Sequence, residues 1–274
     1  MVSTSAIVAV CVTLFISLLL PIIVYIVYGV RNKGRGVWTA WLLGAAGFFV
    51  LQIIIRLPII SLVSLIPGYL GFIENHYVIY CLILAFTAGL FEVVGRYAVA
   101  KILQKKLTFE RGVAAGLGHG GIEAMVIVGM TYINNLLYIF MINSGTFDIT
   151  VEQTAALGVD TTSLIAVKEA LLTTAPGMFY VAGYERLLTM IAHTAMSLLV
   201  CYFVWKKKDI VGILICLTLH TVLDFFAGIL TGLSTEYLGP VVSQNTGYVL
   251  TYIFLTVMAV LSGIVIYKIR KEWK

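Results

Sequence analysis

Apolar positions fall in long unbroken blocks. Seven runs, about Ile7–Val30, Val37–Ile55, Tyr77–Ala100, Val113–Phe140, Phe179–Val204, Ile210–Leu230 and Tyr248–Tyr267, are separated by polar or charged segments. Most reach the ~20 residues that a helix needs to cross a hydrocarbon core. Inside lipid every backbone polar group must be satisfied internally, so runs of this length read as helices. The pattern predicts an all-α, polytopic membrane protein with about seven transmembrane helices. It predicts one integral-membrane domain over residues 1–274, with spans three to six, residues 77–230, as its core. The second run is interrupted by Arg56 and Pro58, yet apolar sequence continues to Ile66. It reads as a long kinked helix or as a span followed by an interfacial segment. Between spans four and five lies a long loop, about Met141–Met178. There Thr150-Val151-Glu152-Gln153 has the form of a capping box and Gly158 that of a helix stop, and a second short helix is expected over about Thr162–Leu172.

Composition strengthens this reading. The chain is 61% hydrophobic and 11% charged, where a soluble domain carries about 25% charged residues. The net charge of +5 is concentrated between the spans. Arg31, Lys33 and Arg35 follow span one, and Lys101, Lys105, Lys106 and Arg111 follow span three. Lys206, Lys207 and Lys208 follow span five, and Lys268, Arg270, Lys271 and Lys274 follow span seven. Every second connection is therefore cationic, and the positive-inside rule places the N-terminus outside and the C-terminus inside. The charge thus has a topological origin, and no nucleic-acid partner is indicated. Cys11, Cys81, Cys201 and Cys216 lie inside apolar runs without a C-x-x-C spacing, so neither a disulfide framework nor a thiolate zinc site is indicated.

The candidate chemistry lies within the spans. His119 and Glu123 are four residues apart and share one helix face. Glu92 and Arg96 have the same spacing on span three, as do His220 and Asp224 on span six, while His193 stands on span five. Ionisable groups at this depth cost roughly 2.5–3.5 kcal/mol each on insertion scales. At 1.5 Å rise per residue, Glu92, His119, Glu123, His193, His220 and Asp224 all fall about 12–22 Å from the inner surface. They are expected to converge on one cavity. Neutral imidazoles with a carboxylate are good zinc ligands, and a further carboxylate can take a proton from water. His119, His193 and His220 are the candidate nitrogen ligands of a Zn2+ ion, and Asp224 is a fourth ligand or orients His220. Glu123 or Glu92 is the candidate general base. Arg96 ties Glu92 to a cation, which favours Glu123 as the proton-transfer residue with Glu92–Arg96 in support. The same groups can also activate water without a metal. Gly116, Gly118, Gly120 and Gly121 read as packing residues that let helices approach closely.

These stretches resemble the YhfC family of intramembrane metalloproteases, within the CPBP group of CAAX prenyl endopeptidases of the second type, bacteriocin-processing proteins and PrsW site-one proteases. Phe91-Glu92-Val93-Val94-Gly95-Arg96 looks like the group's E-E-x-x-x-R motif. Gly118-His119-Gly120-Gly121-Ile122-Glu123 looks like the family's second-helix motif. His193 matches the lone histidine of the third core helix, and His220-Thr221-Val222-Leu223-Asp224 looks like the closing H-x-x-x-[ND] motif. The resemblance implies catalytic or metal-binding roles for Glu92, His193, His220 and Asp224. Two positions depart from the group: Phe91 replaces the first glutamate of the doubled pair, and Ala115 replaces the phenylalanine of F-x-x-x-H.

The expected function is a metal-dependent endopeptidase acting on a membrane-embedded or membrane-proximal peptide, with the lipid bilayer and that peptide as partners. The alternatives are a proton- or ion-coupled transporter using the same residues as a relay, and a non-catalytic scaffold or immunity protein on the same fold. The sequence does not fix the oligomeric state.

Overall fold

The computed structural model describes residues 1–239 and 241–273, without the side chain of Glu236. Lys274, the last residue of the final cationic group, lies outside the described residues. Helices make up nearly all of the chain, and no strand occurs among the described residues. Among the described residues, seven helices are long and apolar enough to cross a membrane: α1 Thr4–Arg31, α2 Val37–Val63, α4 Tyr77–Lys106, α5 Phe109–Ser144, α8 Pro176–Trp205, α9 Asp209–Gly232 and α10 Gln244–Glu272. Between them stand the shorter α-helices α3 Tyr69–Asn75, α6 Thr146–Ala156 and α7 Thr162–Thr173, and a 3-10 turn at Glu236–Leu238. The chain is a multi-pass, all-α membrane protein. Large apolar side chains such as Leu42, Ile54, Leu82 and Ile253 are exposed on the long helices, as a lipid-facing surface requires.

One element decides between two readings of the pattern and another departs from it. The second span is the long helix of its two readings and continues through Arg56 and Pro58 to Val63. Its stretch Phe49–Arg56 has widened, i→i+5 turns. Such turns leave the ordinary i→i−4 ladder, so Pro58 follows a region already relieved of it. In the long loop, α6 begins after Gly145, which has a positive φ of 79°. Thr150 therefore lies inside the helix, where its hydroxyl donates to the Thr146 carbonyl at 3.1 Å; it caps nothing. Gly158, at φ 76°, follows the helix as expected.

The chain forms two compact units, Met1–Ile23 with Ala124–Leu187 and Val24–Glu123 with Leu188–Lys274. The first packs Ala6, Ala9 and Val10 with Tyr132, Ile139, Leu171 and Phe179. The hydroxyls of Thr13 and Tyr132 both donate to the Phe179 carbonyl, at 2.7 and 2.9 Å. The second unit has a core of small and branched residues: Val37, Ala40, Val93, Ala100, Ala114, Ala115, Val200 and Cys201. Close helix approach sets its geometry. A Cβ on Gly44 would lie 1.9 Å from the Ala115 carbonyl oxygen, and one on Gly118 would lie 2.1 Å from that of Trp41. Only glycine allows α2 and the 109–123 stretch of α5 to pack at this distance. Lys101 and Asp209 pair at 3.0 Å, and Arg35 pairs with Glu110.

Candidate metal centre

Five stretches of the second unit each present polar residues at i, i+4. They are Gln52 and Arg56 on α2, Glu92 and Arg96 on α4, His119 and Glu123 on α5, His193 and Ser197 on α8, and His220 and Asp224 on α9. This spacing puts each pair on one helix face. Small residues bring those faces together: a Cβ on Gly116 would lie 2.6 Å from the Thr194 Cα, and one on Gly120 would lie 3.1 Å from the His193 Cβ.

Glu92 is the hub. Its Oε2 lies 2.8 Å from Arg96 Nη2 and 2.9 Å from both His119 Nε2 and His220 Nε2. His193 Nδ1 is 3.4 Å away. The other oxygen, Oε1, accepts from Gln52 Nε2 at 2.5 Å. Arg96 reaches the same point: its Nη2 is 2.6 Å from His193 Nδ1 and 3.0 Å from His119 Nε2, while its Nε donates to Ser197 Oγ at 3.3 Å. A guanidinium only donates, so His193 Nδ1 is the acceptor. Nε2 of neutral His193 then carries the proton and faces Glu123 Oε2 at 3.0 Å. For His119, Nε2 either donates to Glu92 or accepts from Arg96, according to its tautomer.

Burial is nearly complete. Glu92, Arg96 and His193 are 3% exposed, and His119 and His220 1%. Phe48 packs edge-on against His119, with ring centroids 5.1 Å apart. A void of about 10 Å³ lies beside Arg96, His119, Ser197 and Cys201, close to the lower limit for one water molecule.

The structure brings all seven residues named from sequence into one region, in unequal roles. Glu92, His119, Glu123 and His193 each offer a ligand atom within 4.8 Å of the other three. Two imidazoles and two carboxylates suit zinc, whose ligands stand about 2.0–2.2 Å from the ion. This buried cluster is compatible with a metal site. His220 touches Glu92, and its Nδ1 is 3.4 Å from Asp224 Oδ2 but makes no hydrogen bond. The four-donor group shares His119 and His193 with the set His119, His193, His220 and Asp224 expected from sequence, and holds Glu92 and Glu123 in place of the other two. Arg96 Nη2 stands where three of these groups converge, so a metal ion must displace that cation from His119 and His193 to use them. Gln52 and Ser197 were not expected. The one signal for Gln52 is an amide four residues before Arg56 in an otherwise apolar run.

An apolar cleft of about 420 Å³ is lined by Ile59, Ile60, Val63, Leu84 and Phe91 among others, and by none of the four donors. Phe91, which stands where the resembled motif has its first glutamate, faces this cleft. Arg56 is at its edge and donates to the Leu84 carbonyl at 2.8 Å.

Comparison with known proteins accords with this picture. The model of a family described as YhfC intramembrane metalloprotease matches residues 16–238, an interval that contains every residue of the cluster. A protein of Bacillus subtilis (strain 168), described as uncharacterized membrane protein YhfC, is 32% identical over 211 residues, covering 77% of this chain and 80% of its own. No solved structure matches the chain.

Proposed function

The chain belongs to the YhfC intramembrane metalloprotease family, and from that premise we propose that it is a zinc-dependent endopeptidase of the CPBP type. Its substrate is a membrane-embedded or membrane-proximal polypeptide. The observation that carries the proposal is the buried group of four donors, Glu92, His119, Glu123 and His193, all within 4.8 Å of one another. Buried charges at membrane depth mark function by default, and this donor chemistry suits the metal that the family description implies without naming.

His119, His193 and Glu92 hold the ion in this reading. The chemistry it supplies when bound is Lewis acidity toward a scissile carbonyl and a lowered pKa for water. Proton transfer falls to Glu123. Glu92, a ligand in this reading, also accepts from Gln52 on Oε1 and has Arg96, His119 and His220 within 2.9 Å of Oε2, so it is committed to holding the site. Glu123 is not a ligand in this reading; its Oε2 stands 3.0 Å from Nε2 of the ligand His193, which puts a carboxylate beside the ion to take the proton of the reacting water. His220 fixes Glu92, and Asp224 lies behind His220. The apolar cleft beside Phe91 supports an apolar substrate segment.

Cleavage tests this directly. Wild type and Glu123→Gln are reconstituted with solubilised host membrane proteins, and new peptide N-termini are mapped by mass spectrometry. New termini within or beside apolar spans are expected with the wild type only. No new termini in either sample would overturn the proposal, and the same termini in both would overturn the role given to Glu123.

A further inference from the structure

Gln52 lies in the middle of α2 and is 5% exposed. Both ends of its amide are used. Nε2 donates to Glu92 Oε1 at 2.5 Å, and Oε1 accepts from Arg56 Nη1 at 3.3 Å. Arg56 is itself tied to α4 by the Leu84 carbonyl at 2.8 Å and the Thr87 hydroxyl at 3.3 Å. The neighbours decide which way the amide points. Reversed, its carbonyl would face a carboxylate and its NH2 a guanidinium, and both contacts would repel. Both residues lie in the widened turns of Phe49–Arg56, a feature frequent at functional sites. Neither belongs to the stretches that carry the family resemblance.

The consequence falls on Glu92. Its Oε1 is held by Gln52, so the carboxylate cannot rotate without losing that bond, and Oε2 stays on the side of His119, His193 and His220. We propose that Gln52 is a positioning residue that orients Glu92 as a metal ligand, with Arg56 fixing the orientation of the Gln52 amide. The inference rests on the metal reading given above and extends it to residues outside the four donors. Partners that orient metal ligands in this way are usually worth about 10–100-fold in affinity.

The test uses the full chain in detergent, titrated with Co2+ alone and followed by visible absorption, with thermal unfolding as the check on folding. The variants are Gln52→Met, which keeps the volume and removes the donor, and Arg56→Met, which leaves the amide in place but free to turn. Gln52→Met is expected to bind Co2+ about 10–100-fold more weakly than wild type, with an altered absorption band. Arg56→Met is expected to shift both readouts in the same direction by less. A purely structural Gln52 would lower the unfolding temperature and leave affinity and band unchanged, and that result in a folded Gln52→Met protein overturns the inference. If Gln52→Met does not fold, wild-type affinity and band in Arg56→Met overturn it. Failure of the wild type itself to bind Co2+ overturns the metal reading and the inference together, and is recognisable because no variant is involved.

Discussion

The packing of α2 on α5 gives a sharp prediction for Gly118→Ala. The added Cβ would stand 2.1 Å from the Trp41 carbonyl oxygen, 2.9 Å from its carbon and 3.0 Å from the Ala45 nitrogen. All three are backbone atoms, so no rotamer change relieves the clash. Real Cβ atoms essentially never come within 3.0 Å, so the two helices must part locally by about 1 Å, the scale on which close-packed interiors resist added atoms. Overpacking of this kind costs about 1–3 kcal/mol. At about 2–4 °C per kcal/mol for chains of 150–250 residues, unfolding should move down by roughly 2–12 °C. His119 is the next residue, and its Nε2 is 2.9 Å from Glu92 Oε2. A displacement of about 1 Å takes that contact beyond hydrogen-bond range and should cost turnover on the order of 100-fold. Thermal unfolding in detergent, read by tryptophan fluorescence, checks the first effect and a cleavage assay the second. Gly263→Ala is the control: nothing lies within 4 Å of its Cβ, and the change should be neutral or slightly stabilising. Gly118→Ala behaving like Gly263→Ala would refute the packing argument.

Further predictions follow from the same contacts. Glu92→Gln leaves Arg96, 3% exposed, as an uncompensated buried cation, which should cost about 3–5 kcal/mol and show as a large fall in unfolding temperature. Glu123→Gln should keep its fold and lose turnover; near-normal activity in Glu123→Gln beside an inactive but folded Glu92→Gln would move the proton-transfer role to Glu92. The clustering of Lys and Arg predicts an outside N-terminus and an inside C-terminus, so a fluorescent protein that matures only in the cytoplasm should glow when fused at the C-terminus and stay dark when fused at the N-terminus.

Much of this architecture is legible in the chain because membrane spans are written in continuous apolar runs. The i, i+4 pairs Glu92–Arg96, His119–Glu123 and His220–Asp224 were equally open to reading, since helix periodicity alone puts each on one face. Rank within the site was not. Glu92 looks like half of an ion pair, and its place between three imidazoles depends on how four helices pack. Gln52 carries no charge and matches no motif, so only its contact with Glu92 at 2.5 Å reveals it. The extent of α2 was open between a long helix and a span with an interfacial segment, because Pro58 commonly ends a helix and the widened turns before it leave no mark in the hydrophobic pattern. The capping box at Thr150 misled because a left-handed glycine, Gly145, starts α6 a turn earlier.

The central claim is that Glu92, His119, Glu123 and His193 form a metal centre. Metal analysis of the purified chain tests it most directly, comparing wild type with His119→Ala and His193→Ala at matched folding. Stoichiometric zinc in the wild type, lost in both variants, is the predicted result. A wild-type protein that remains metal-free after exposure to zinc, or equal zinc in all three proteins, would contradict the account.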